Sequence, residues 1–168
     1  MGAHADFAEV TADALDWALE ARGLGDSGLR AALLAAFRQV PCFPEVPEAL
    51  VRLKARGKRT AVLSNGTPAM LGEAIGASGL ASHFDCVLSV EAAGRFKPAA
   101  EVYAMVEAAT GVPPQRTAFV SANGWDVAGA ARFGFLTVWV NRGGAPIDRL
   151  PHTPHHIIAD LSQLEALA

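Results

Sequence analysis

From Lys58 onward, short apolar runs alternate with helix-length stretches, and this alternation constrains the fold more than any other feature of the chain. Thr60–Leu63, Phe84–Ser89, Thr117–Val120, Leu136–Val140 and His156–Ala159 are short, apolar and bounded by loop residues, so they read as strands. Between them lie a helix opened by Pro68, one from Pro98 to Thr110 and one near Asp126–Phe133. A terminal helix capped by Asp160 follows the last strand. Strands separated by helices run parallel, and each crossover is right-handed. The implied architecture is α/β, a parallel sheet with helices on both faces.

The first 57 residues read entirely as helix. Phe7, Val10, Ala14, Trp17, Ala18 and Ala21 share one face over 6–22, with Gly23 as a stop. A second amphipathic stretch follows Asp26-Ser27, carries Leu29, Leu33, Leu34 and Phe37, and ends at Pro41. Pro47 fits the first turn of a third helix that runs to Arg56, with Gly57 just past its end. The chain thus opens into a helical pattern with no strand before it.

With 168 residues, 51% of them hydrophobic and 18% charged, the chain can bury a core of one-domain size. A net charge of −3 argues against nucleic-acid binding, which needs a basic face. No apolar run approaches the roughly 20 residues of a membrane span, and no signal peptide is visible. Cys42 and Cys86 lack metal-type spacing and fit reduced thiols in a cytoplasmic protein. His152, His155 and His156 sit in a Pro-broken stretch with no acid or Cys at ligand spacing, so they read as a surface loop.

Ligands of open parallel sheets bind at the carboxyl ends of the strands. That rule selects Ser64-Asn65-Gly66, the segment Gly94–Pro98 and Ser121-Ala122-Asn123-Gly124-Trp125-Asp126. The three loops bring small polar side chains, Lys97 and Asp126 to one rim, suited to holding a small anion. Taken singly, Thr67 and Asp126 are ordinary helix N-caps, Lys97 a solvated charge and Tyr103 a core or rim aromatic. Three polar loops on consecutive strand ends favour a site, and the residues alone reach a small anionic ligand and a hydrolase or transferase.

Strand–Ser64-Asn65-Gly66, Phe96-Lys97-Pro98 with Tyr103, and the Ser-x-Asn-Gly-x-Asp run of Ser121–Asp126 resemble the later motifs of the haloacid dehalogenase superfamily, specifically of the 2-haloacid dehalogenases acting on L-isomers. The resemblance covers the chain from its first helix to its end. It implies a Rossmann-like three-layer fold, with residues 1–42 the remnant of a helical cap and 43–168 an α/β core. It also implies hydrolysis of small (S)-2-haloalkanoic acids to 2-hydroxy acids through an aspartyl ester. Carried over, Ser64 and Asn65 bind the substrate carboxylate and help receive halide, and Trp125 lines an apolar wall. Lys97 pairs with the nucleophile and Asp126; Asn123 and Asp126 position and activate water; Ser121 and Tyr103 hold that network. Related phosphatases bind magnesium through two acids spaced Asp-x-x-x-Asp, whereas Ala122 stands four before Asp126 here. The depleted oxygen set favours a metal-independent reaction with no cofactor. The family is often dimeric, which implies a homodimer.

The family's nucleophile ends a first strand in an Asp-x-x-Gly-Thr motif. The one Gly-Thr pair here, Gly66-Thr67, has Leu63 three before the glycine. The nucleophile is therefore absent from these 168 residues, as is the cap arginine that abstracts halide in the family. The missing strand belongs between those ending at Ser64 and Ser121, and its loss leaves their edges unpaired. The chain alone is then expected to be inactive, and to self-associate or borrow a strand from another copy. A phosphatase of the same superfamily and a non-catalytic anion-binding protein are the alternative readings.

Overall fold

A computed structural model describes residues 5–167. Six α-helices and five strands are present among them. Three helices come first: α1 (Phe7–Ala21), α2 (Ser27–Arg38) and α3 (Val46–Ala55). The strands β1 (Ala61–Ser64), β2 (Cys86–Ser89), β3 (Ala118–Ser121), β4 (Leu136–Val140) and β5 (His156–Ile158) alternate with α4 (Pro68–Ala77), α5 (Ala100–Thr110) and α6 (Gly124–Phe133). No α-helix intervenes between β4 and β5; a loop spans residues 141–155. No helix among the described residues is long and apolar enough to cross a membrane.

All strand pairings are parallel, as the βαβ pattern requires. They form two sheets, β1-β2 and β3-β4-β5, with Ser64 opposite Ser89 and Ser121 opposite Trp139. Among the described residues β1 pairs only with β2, and β3 reaches only β4. Each of those two strands therefore keeps one unpaired edge, as expected if a strand belongs between them. Apolar packing joins the two sheets: Tyr103, Val106, Phe119, Ala130 and Phe135 form a buried cluster against which Leu63 and Leu88 pack. A second cluster of Val138, Val140, Ile158 and Leu164 lies under the far side of β4.

Local chemistry fixes the helix ends. Asp6 and Glu9 form a reciprocal capping box at the start of α1, with Oδ1 of Asp6 accepting from the Glu9 N–H at 2.9 Å. Thr67 caps α4 by accepting from the Met70 N–H, the ordinary role read from its position. Neither α1 nor α2 has a buried residue, and they meet each other through the bidentate Arg30–Asp16 pair. Phe7 packs edge-on against Phe96 with centroids 5.9 Å apart, which ties the first helix to the loop bearing Lys97.

Three boundaries differ from the sequence reading, each for a local reason. The helix expected from Pro98 begins at Ala100, because the Lys97 N–H donates to Asn65 Oδ1 and the chain stays extended at Ala99. The helix expected near Asp126 begins at Gly124, because Ser121 Oγ accepts from the Asn123 N–H and starts the turn earlier. Asp126 is thus inside the first turn, and Asn123 is the N-cap without a side-chain cap bond. The terminal helix is a 3-10 segment, Leu161–Leu167, whose start is set by Asp160 accepting from the Ser162 N–H.

Candidate active site

The three polar loops converge at the carboxyl ends of β1, β2 and β3. The centre is the Asp126 carboxylate, nearly buried on the first turn of α6. Lys97 Nζ lies 3.0 Å from its Oδ2, with the two side chains only 8% and 4% exposed. Ser121 donates to the same Oδ2 at 3.0 Å, and the Tyr103 hydroxyl donates to Oδ1 at 2.9 Å. Both carboxylate oxygens therefore have donors, as a buried charge needs. The Lys97 ammonium also lies 4.9 Å from the centroid of the Phe119 ring, so an apolar face adds to its containment.

Tyr103 is 1% exposed and wedged among Phe119, Phe133 and Phe135, at centroid distances of 5.6, 5.8 and 6.1 Å. Burial pushes its phenol far above the ordinary range, and the adjacent Asp126 charge and hydrogen bond add to the effect. The hydroxyl is therefore a fixed proton donor to Asp126.

The loop after β1 is held by two serines. Ser64 Oγ accepts from the Gly66 N–H at 3.1 Å, and Ser89 donates to the Gly66 carbonyl at 2.7 Å from the neighbouring strand end. Asn65 Oδ1 accepts from the Lys97 N–H at 3.0 Å, which fixes the amide so that its Nδ2 donors point away from that bond. Asn65 is thereby a brace between two loops, a role its position in sequence does not disclose. Trp125 is 42% exposed. Gly124, beside it, approaches the exposed Asp148 carboxylate of the loop after β4 closely enough that a side chain there would push the carboxylate aside.

Ser64 and Ser121 end β1 and β3, and Asn65, Lys97, Tyr103, Asn123, Trp125 and Asp126 lie on the loops that follow or on the helices they open. Lys97, Tyr103, Ser121 and Asp126 form one bonded network, and Asn65 joins it through the Lys97 backbone. Asn123 and Trp125 flank it through the α6 start. Sequence reasoning missed two supports. Ser89 is a strand-end hydroxyl opposite Ser64, and the alternation of β1 and β2 in register could have found it. Trp139 on β4 donates its indole N–H to the Ala122 carbonyl at 3.1 Å, and only the register of β3 against β4 reveals that.

His155 does not behave as a free loop histidine. Its Nδ1 accepts from the Thr137 N–H at 3.1 Å and lies 2.8 Å from Thr137 Oγ1, so it fastens the loop after β4 to the strand. Among the described residues no three His, Cys, Asp or Glu side chains cluster as metal ligands.

Residues 4–134 match the family model of haloacid dehalogenase-like hydrolases. The chain is 39% identical over 168 residues to (S)-2-haloacid dehalogenase 1 of Pseudomonas sp. strain CBS-3, covering 99% of this chain and 74% of that protein. It is 37% identical over 162 residues to the (S)-2-haloacid dehalogenase of Pseudomonas sp. strain YL, covering 96% of this chain and 70% of that protein. A solved L-2-haloacid dehalogenase from Xanthobacter autotrophicus, with chloropropionic acid covalently bound, superposes with a TM-score of 0.88 at 34% identity over 99% of this chain and 77% of its own. The loops, their order along the sheet and these likenesses agree: this chain belongs to the haloacid dehalogenase-like hydrolases.

Proposed function

We propose that these residues form the water-handling half of an (S)-2-haloacid dehalogenase. The observation that carries the reading is the nearly buried Lys97–Asp126 pair, 3.0 Å apart and clamped by Tyr103 and Ser121 at the carboxyl ends of the strands. In the reaction, an aspartate carboxylate oxygen bonds to the halogen-bearing carbon as the carbon–halogen bond breaks and halide leaves. Water then attacks the ester carbonyl, the ester C–O bond breaks, and the 2-hydroxy acid departs with inverted configuration. Asp126 orients and accepts a proton from that water, helped by Asn123, while Lys97 keeps closely spaced carboxylates charged. Ser64 and the free Nδ2 of Asn65 hold the substrate carboxylate and receive halide, and Trp125 supplies an apolar wall.

Two features favour this over phosphoryl transfer. Ala122 stands where a second acid would be needed, and Asp126 Oδ2 is already saturated by an ammonium and a hydroxyl. That donor set does not fit a resident divalent cation, which wants several free oxygens. No Asp-x-x-Gly-Thr run occurs in these 168 residues to supply the attacking aspartate. We therefore expect no halide release from 2-chloropropionate by this chain alone, and release when it follows an Asp-x-x-Gly-Thr strand. Turnover of a phosphate ester with magnesium, and none of the haloacid, would instead support the phosphatase.

We further read residues 1–42 as the end of a helical cap over the core of 43–168. The exposed Trp17 (72%) and Phe37 on α1 and α2 suit a homodimer contact, which sedimentation at varied concentration tests.

A further inference from the structure

Gly129 lies one turn beyond Asp126 on α6. Its φ is not in the left-handed region, so the backbone gives no reason for glycine, which is a poor helix residue beside alanine. The space around it does. A Cβ at this position would lie 2.6 Å from the Tyr103 hydroxyl, 2.7 Å from Pro98 Cβ and 3.3 Å from Tyr103 Cε2. Neither neighbour can yield cheaply. The tyrosine ring is enclosed by Phe119, Phe133 and Phe135, and Pro98 is a rigid ring whose preceding residue is pinned by Asn65. By contrast, the helical glycines Gly72 and Gly76 of α4 have nothing within 4 Å of such a Cβ.

We propose that Gly129 is a positioning residue for the Asp126 carboxylate. The notch left by its missing side chain lets the Tyr103 hydroxyl and the Lys97–Pro98 segment close on α6 from the same side. Phenol and ammonium can then reach opposite oxygens of one carboxylate, at 2.9 and 3.0 Å. A methyl group in the notch separates α6 from both partners, and the carboxylate loses its fixed orientation. Its bearing on the hydrolytic water rests on the dehalogenase reading above, whereas the geometric claim does not.

Tyr103 is the one tyrosine of the chain, so its phenolate absorbance reports this contact without turnover. In the parent chain the phenol is expected to stay protonated until alkaline unfolding. In Gly129→Ala it should ionise about one pH unit or more lower, with far-UV circular dichroism unchanged, as water reaches the displaced hydroxyl. Gly76→Ala should titrate like the parent. A folded Gly129→Ala whose phenol titrates like the parent overturns the proposal. Should Gly129→Ala fail to fold, adding Tyr103→Phe removes one of the two closest atoms, and the double variant should show more far-UV helical signal than Gly129→Ala alone although Pro98 Cβ still crowds the notch. A double variant no better folded than Gly129→Ala also overturns it. Loss of the dehalogenase reading, by contrast, would show only in halide assays and leave the titration result standing.

Discussion

Replacing Lys97 by methionine keeps most of the length of the side chain and removes its charge, leaving the Asp126 carboxylate in place with Tyr103 and Ser121 as its remaining donors. At a 3.0 Å separation and an effective dielectric near 20, the lost attraction is about 5 kcal/mol. The ammonium no longer has to be desolvated, which offsets part of this, but the carboxylate still does. With both side chains under a tenth exposed, solvent screening does not soften the change. The two hydroxyl donors remain, so the expected cost at pH 7.5 is about 3 kcal/mol, at the lower end of the range for breaking a buried pair. Adding Asp126→Asn should return most of the loss at neutral pH, because an amide needs no counter-charge. Urea unfolding followed by tryptophan fluorescence at pH 7.5 reads this out. A penalty below about 1 kcal/mol, or no recovery on adding Asp126→Asn, would refute the claim that this pair is a desolvated charge pair.

Other outcomes follow from the same geometry. Because the Tyr103 phenol is held well above its ordinary range, its stabilising contribution is complete below pH ~10 and is lost as pH rises beyond that. Tyr103→Phe should flatten this alkaline loss in thermal melts, while costing about 1.5–3 kcal/mol at neutral pH for the hydrogen bond to a charged partner. Trp139→Phe leaves the Ala122 carbonyl without its indole donor and should cost about 1 kcal/mol or more, with faster exchange of the amides in 121–125 measured by hydrogen exchange. Asn65→Asp keeps the acceptor for the Lys97 N–H but replaces the free Nδ2 donors with negative charge. It should fold like the parent and bind bromide or 2-hydroxypropionate at least about tenfold more weakly by NMR titration, a loss of about 1.4 kcal/mol.

The periodicity from Lys58 onward determined the parallel α/β class, because a strand followed by a helix can rejoin the same side of a sheet only by crossing over it. It also placed Ser64, Lys97 and Asp126 on one rim, since βα loops of parallel strands share an end. Thr67 was legible as a cap because capping is a contact between residues three apart. What the sequence left open depends on contacts between residues distant along the chain. Taken singly Asp126 reads as a helix cap, and the family resemblance implies its pairing with Lys97; that Tyr103 and Lys97, 23 and 29 residues away, donate to opposite oxygens shows only in the packing. Asn65 reads as a ligand-binding amide until its oxygen is found on the Lys97 backbone, which also explains why α5 starts at Ala100. Trp139 and Ser89 act through strand register, and Gly129 through the absence of an atom. Periodicity is local and survives in the order of residues. The donors that satisfy a buried charge, and the space that lets them reach it, exist only once helices and sheets have packed.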